Sequence, residues 1–139
     1  VVAAILVDGV ACIAHAGDSR AYLLSNGDLR QLTKDHSFVQ EMVDNGSLTA
    51  DEAKDDPRKD IITRAVGVDD ELRIDFCEEF LDDKDVLLIC TDGLTNYVTE
   101  SEICEITSDF NYYEYAEQLV NRANNNGGGD NITVVTLSY

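Results

Sequence analysis

The chain has 139 residues, a length that suits one compact domain, and 44% of them are apolar, enough for a core. Its 10 basic residues face 28 acidic ones, giving a formal net charge of −18. That balance argues against nucleic acid and anionic membranes as partners, since both need clustered Lys and Arg, and it is compatible with binding cations.

Val1 to Val7 is an apolar run and reads as a buried strand. Asp8-Gly9 is a hairpin turn signal, and Val10 to Ala16 is a second apolar strand. Gly17-Asp18 interrupts the pattern before strand character resumes from Arg20 to Leu24. Asn26-Gly27 is another hairpin turn, followed by a short strand over Leu29 to Thr33. The chain therefore opens as an antiparallel meander. Ser37 and Gln40 have capping-box spacing, and Phe38, Val39 and Met42 give the helix behind them an apolar face. Asn45-Gly46 stops it. Thr49 and Glu52 repeat the spacing and predict a short second helix. Asp55 to Asp60 is charged, holds the only proline, Pro57, and reads as an exposed loop; Ile61 to Val66 restores order.

Leu72, Ile74 and Phe76 alternate with Arg73 and Asp75, the pattern of a half-buried strand. Asp82 to Asp85 is a turn. Val86 to Cys90 is apolar throughout, as an interior strand should be. Thr99 and Glu102 form a third capping box and open a helix toward Thr107. Asn111 can cap the next helix, whose core face carries Tyr115, Ala116 and Leu119. Asn124 to Gly129 cannot continue a helix, and Ile132 to Leu137 is a final strand. The fold class is α+β: antiparallel strands with helices inserted between them, in one domain over 1–139 without repeat or linker.

No apolar run approaches the roughly 20 residues of a membrane helix, and no signal peptide is visible. The chain opens in a strand-like run without Met, which predicts a fragment of a longer protein. Cys12, Cys77, Cys90 and Cys104 show no zinc spacing. Cys12 and Cys90 lie in apolar runs and read as small buried hydrophobes, so reduced thiols in a cytoplasmic setting are expected.

Three aspartates carry the chemistry. Asp92 follows the interior strand, where Gly93 would permit a sharp exit with positive φ. Taken alone, it reads equally well as a cap of the next turn. Asp130 follows Gly127-Gly128-Gly129 and precedes the last strand; the bland reading is a loose turn. If the last strand lies antiparallel beside Val86–Cys90, the two aspartates meet at one end of the sheet. Converging carboxylates repel unless a cation lies between them, and oxygen ligands at a rigid rim suit Mg2+ or Mn2+. Gly17 reads as a bulge that could turn Asp18 toward the same rim; the alternative is an exposed Asp18 paired with Arg20.

Together these segments resemble the metal-dependent serine/threonine protein phosphatases of the type-2C, or PPM, family in their bacterial form. The matching stretches run in the family's order: Gly17-Asp18-Ser19-Arg20-Ala21-Tyr22, Thr33-Lys34-Asp35-His36-Ser37, Ile62-Thr63-Arg64-Ala65-Val66-Gly67, Thr91-Asp92-Gly93-Leu94 and Gly129-Asp130-Asn131-Ile132-Thr133. The resemblance implies an αββα four-layer sandwich of antiparallel sheets. It implies that Asp92 and Asp130 bind a binuclear Mg2+/Mn2+ centre and that Asp18, with Asp92, binds a third metal. It makes the stretch from Asp35 to about Asp60 a mobile flap. It implies hydrolysis of phosphoserine and phosphothreonine in proteins by a metal-activated water, with phosphoproteins and a cognate serine/threonine kinase and its targets as partners. No nucleophilic side chain is required, and none is evident.

The family's earlier Asp-Gly-x-Gly-Gly-His segment and its Arg-containing segment do not occur here. The expectation is therefore the C-terminal part of a catalytic domain, lacking the first strands, with weak or no activity of its own. Apolar strand surface would then stand uncovered and favour self-association. His15 reads as a packed core or rim histidine, His36 as structural, Arg64 as a salt-bridge anchor of the flap, and Tyr112, Tyr113 and Tyr115 as helix packing and surface. The competing function is a non-catalytic regulatory or interaction module on a degenerate phosphatase fold.

Overall fold

A computed structural model describes all residues, 1–139. Seven strands form two antiparallel sheets. The first contains β1 (Val2–Val7), β2 (Val10–His15) and β5 (Asp75–Phe80), in the order β1-β2-β5. The second contains β3 (Arg20–Ser25), β4 (Asp28–Gln31), β6 (Val86–Cys90) and β7 (Val134–Ser138), in the order β4-β3-β6-β7. Between β3 and β4's sheet and its return at β6, the chain makes an excursion carrying α1 (Phe38–Asp44) and α2 (Ala50–Asp55). The short α3 (Asp92–Thr95), then α4 (Glu100–Asp109) and α5 (Tyr115–Asn125), follow β6.

The sequence builds two cores by alternation along β3 and β6. Ala21, Leu23 and Leu87 point to one side and pack with Ala11, Ile13 and Leu81, so this cluster joins the two sheets. Tyr22, Leu88 and Cys90 point to the other side and pack under Leu94, Ile103 and Leu119 of the helices. The layers are therefore sheet, sheet, helices. As expected, β6 is buried on both faces.

The helix starts follow their caps. Thr49 and Thr99 each make a complete capping box, with Glu52 and Glu102, and Ser37 accepts from the Gln40 N–H. Asn111 caps a single 3-10 turn, Tyr112–Glu114, before α5. The α5 helix runs through Asn125 and so extends into the stretch expected to end it.

Several expectations change. The opening is not one meander: β1–β2 and β3–β4 are hairpins in different sheets, and residues 16–19 carry the chain across. Gly17, at φ +112°, marks that crossover rather than a bulge. The strand expected over Leu72–Phe76 starts only at Asp75, and its face is reversed. Cys77 and Glu79 turn inward, whereas Phe76 and Phe80 are 75% and 79% exposed. With Ile5 and Val7 of β1 and Cys12 of β2, they form an open, mainly apolar face on the first sheet, interrupted by Glu78 opposite Cys12. Val1–Val7 and Cys12 are thus not buried as expected, because their sheet is covered on one side only. Ile61–Val66 forms turns and one bridge, not a regular element. No helix is long and apolar enough to cross a membrane, and all four cysteines are free.

Candidate metal site

The β6–β7 pairing is antiparallel, with Cys90 opposite Val134. Past that rung, the Thr91 N–H donates to the Thr133 carbonyl at 3.1 Å, and the Thr133 N–H donates to Thr91 Oγ1 at 3.0 Å. The segments that carry Asp92 and Asp130 are thereby sewn together at one sheet end. The reason for Gly93 is close approach: a Cβ there would land on the Asn131 carbonyl. Its φ is not positive, which corrects the expected sharp exit. Gly127 and Gly128 do adopt positive φ, and a Cβ on Gly129 would strike the Tyr97 hydroxyl. Tyr97 thus packs closely against Gly127 and Gly129 in the loop that delivers Asp130.

Asp92 does not cap α3. Thr91 holds the N-cap position, and Asp92 Oδ1 accepts only from the adjacent Gly93 N–H, at 3.0 Å. Asp130 Oδ1 likewise accepts from the Asn131 N–H at 2.7 Å. Neither carboxylate is in an ion pair, and neither is Asp18. Arg20 is committed elsewhere, so the Asp18–Arg20 pairing does not form. Its Nε and Nη2 grip Asp35 at 2.7–3.0 Å, and its Nη1 donates to the Tyr22 hydroxyl at 3.0 Å. Gln31 adds a bond to Asp35 Oδ1.

Asp18 and Asp92 line one cavity of about 760 Å3, bounded by the α1–α2 excursion on one side and by α3 and α4 on the other. Burial, and then the nearby Asp92 charge, raise the Asp18 pKa. A carboxylate disfavoured in its charged form, with the Asp92 and Asp35 carboxylates near it, fits a hard divalent cation. Asp130 is exposed and does not line this cavity. The three aspartates do not gather their oxygens within 4.8 Å as a set; the group that does is His15, His36 and Asp75.

That second group lies against the crossover. His15 and His36 are buried and stacked, with centroids 4.6 Å apart and planes at 10°. An imidazole's ligating lone pair lies in its ring plane, so two stacked parallel rings cannot both aim at one ion. Asp75 accepts from Arg64 at 2.7 Å, so Arg64 anchors to β5. The Arg64 guanidinium, and then His36, hold the Asp75 carboxyl down to about 2. Tyr112 packs as expected: its hydroxyl donates to the Thr136 carbonyl and accepts from the Ser138 N–H, whereas Tyr113 is exposed.

Sequence reasoning weighed Arg20 only as a partner of Asp18 and gave no role to Tyr22 or Asp35; all three line the same cavity. Their contacts cross from β3 to the start of the excursion, and no local pattern encodes them. The only available signal was the Asp35 in the Thr33–Ser37 stretch.

The sequence profile of the family Protein phosphatase 2C matches residues 1–42. The serine/threonine phosphatase stp of Listeria welshimeri is 44% identical over 137 residues, which are 98% of this chain and 54% of that protein. The crystal structure of the Mycobacterium tuberculosis serine/threonine phosphatase PstP/Ppp superposes with a TM-score of 0.91 at 36% identity, covering 97% of this chain and 57% of that one. The catalytic domain of PstP in complex with two manganese ions gives 0.82 at 36% identity, covering 97% and 56%. The chain spans about half the length of the relatives it matches. Two facing antiparallel sheets with a helical layer, and similarity along nearly the whole chain, match the C-terminal part of bacterial serine/threonine phosphatases of the PPM, or protein phosphatase 2C, family.

Proposed function

We propose that the chain is part of a protein phosphatase that hydrolyses phosphoserine and phosphothreonine esters using divalent cations. Asp92 and Asp130 are the proposed ligands of a binuclear centre, and Asp18, with Asp92, the ligands of a third ion. The observation that carries this reading is the Asp18–Asp92 pair: two carboxylates on one cavity, neither in an ion pair, the first pushed toward its neutral form by burial and by the second. Carboxylate ligands suit Mg2+ or Mn2+, and the manganese complex of PstP supports the latter.

Bound cations supply a water of lowered pKa and offset charge on the phosphoryl oxygens. The chain's own residues hold the carboxylates in place. The β6–β7 rungs fix Asp92 against the Asp130 loop, and the Arg20–Asp35 fork fixes the cavity wall beside Asp18. The Cys90 thiol, two residues before Asp92, does not serve as nucleophile: burial pushes it up to about 12, so it stays protonated. Phosphoproteins, including targets of a cognate serine/threonine kinase, are the proposed substrates, and the cytoplasm the proposed setting.

The Asp-Gly-x-Gly-Gly-His segment is absent from this sequence, so the 139-residue chain should release little phosphate from a phosphothreonine peptide in Mn2+. Robust turnover would overturn that part of the proposal. The open apolar face of the first sheet supports self-association. Sedimentation should show species heavier than 15.3 kDa, and a stable monomer at high concentration would refute it.

A further inference from the structure

The α1–α2 excursion is closed at its neck by the Ser37–Ile62 bridge. The Phe38 N–H donates to the Ile61 carbonyl and the Thr63 N–H to the His36 carbonyl, both at 2.8 Å. His36 then joins this neck to the crossover twice. Its own N–H donates to the Gly17 carbonyl at 2.9 Å, and its Nδ1 accepts from the Gly17 N–H at 3.1 Å. An amide N–H can only donate, so Nδ1 carries the lone pair and Nε2 the proton. Nε2 therefore donates to Asp75 Oδ2, at 3.0 Å. The ring is held from every side: by Gly17, by Asp75 with its Arg64 partner, and by the stacked face of His15. The next residue after Gly17 is Asp18.

We infer that His36 is a positioning residue that makes the neck of the 37–62 excursion and the Gly17–Asp18 crossover one cooperative unit. The excursion forms one wall of the cavity, and Asp18 lines it. Opening the neck withdraws the acceptor from the Gly17 N–H, and displacing Gly17 releases the neck. Cation binding at Asp18 would then favour the closed neck, a consequence that rests on the metal reading above.

Two near-isosteric variants separate the contacts. In H36N the amide oxygen stands where Nδ1 stands and can accept from Gly17, but the side chain is too short for Asp75. In H36Q the amide reaches toward Asp75 and leaves Gly17 without its acceptor. Hydrogen exchange of the Gly17, Phe38 and Thr63 amides is followed in the metal-free chain. In H36Q all three should exchange faster together, by about fivefold, the cost of one neutral hydrogen bond. H36N should stay near the parent. If Gly17 accelerates alone, or if H36N opens the neck as much as H36Q, the inference is overturned. Mn2+ added to the parent should slow Phe38 and Thr63, and H36Q should lose that effect. If D18N abolishes no Mn2+ response because the parent has none, the metal reading fails while the metal-free comparison still decides the coupling.

Discussion

Gly93→Ala gives opposite signs under two readings of Asp92. If α3 were a free turn, the added methyl would help, since Ala exceeds Gly in a helix by about 1 kcal/mol. The φ of Gly93 gives no reason for strain. In the structure, however, the new Cβ would occupy the Asn131 carbonyl position. The obstacle is backbone, so no rotamer change relieves it, and overpacking of this kind costs about 1–3 kcal/mol. Taking the upper half of that range against the propensity gain leaves a net loss of about 1–2 kcal/mol. Urea unfolding followed by far-UV circular dichroism measures it. Gly27→Ala is the control: it has open space but sits at φ +87°, so it should lose stability from backbone strain alone and leave cation affinity unchanged. Gly93→Ala should weaken both. A Gly93→Ala chain as stable as the parent would show that the Asp92 and Asp130 segments do not touch.

Asp18→Asn should stabilise the metal-free chain, because the raised pKa means the folded state penalises the charge that the variant removes; a lower thermal midpoint would contradict this. Asp75 is the reverse case. Its folded value, about 2, lies below the unfolded one, so its contribution is present above roughly pH 4 and is lost as pH falls toward 2. The stability gap between parent and Asp75→Asn should therefore be full at pH 6 and close on acidification. Arg20→Ala leaves the largely buried Asp35 carboxylate without its fork and should cost about 3 kcal/mol in urea unfolding. Arg20→Lys should recover only part of that, since a single ammonium cannot reproduce three contacts.

Elements whose cause is local were legible in the sequence. Val86–Cys90 is buried on both faces and reads as a continuous apolar run; Thr49, Thr99 and Asn111 sit three residues before the glutamates that complete their caps. The conditional pairing of the last strand with Val86–Cys90 also held, because it follows from two edges seeking partners. What failed concerns which side of a sheet is covered. Alternation locates Phe76 and Phe80 on one face but does not say that this face looks outward. Gly17 has the same local signature whether it bulges within a sheet or crosses between two. Gly93 was identified for a positive φ that it does not have; its reason is the Asn131 carbonyl, 38 residues on, which no window of sequence contains. The Arg20–Asp35 fork was hidden likewise: the one partner weighed for Arg20 was Asp18, two residues away, whereas Asp35 lies 15 residues on.

The ligand assignment is tested most directly by titrating Mn2+ into the isotope-labelled chain and following paramagnetic broadening of the amides. With a net charge of −18, weak binding at many carboxylates is expected, so the pattern rather than the amount decides. Signals of Asp18, Gly93 and Asn131 should broaden first, ahead of the acidic turn at 82–85, and should lose that priority in Asp92→Asn and Asp130→Asn. Uniform broadening over the acidic surface, or a pattern unchanged by either substitution, would contradict a cation site at these aspartates.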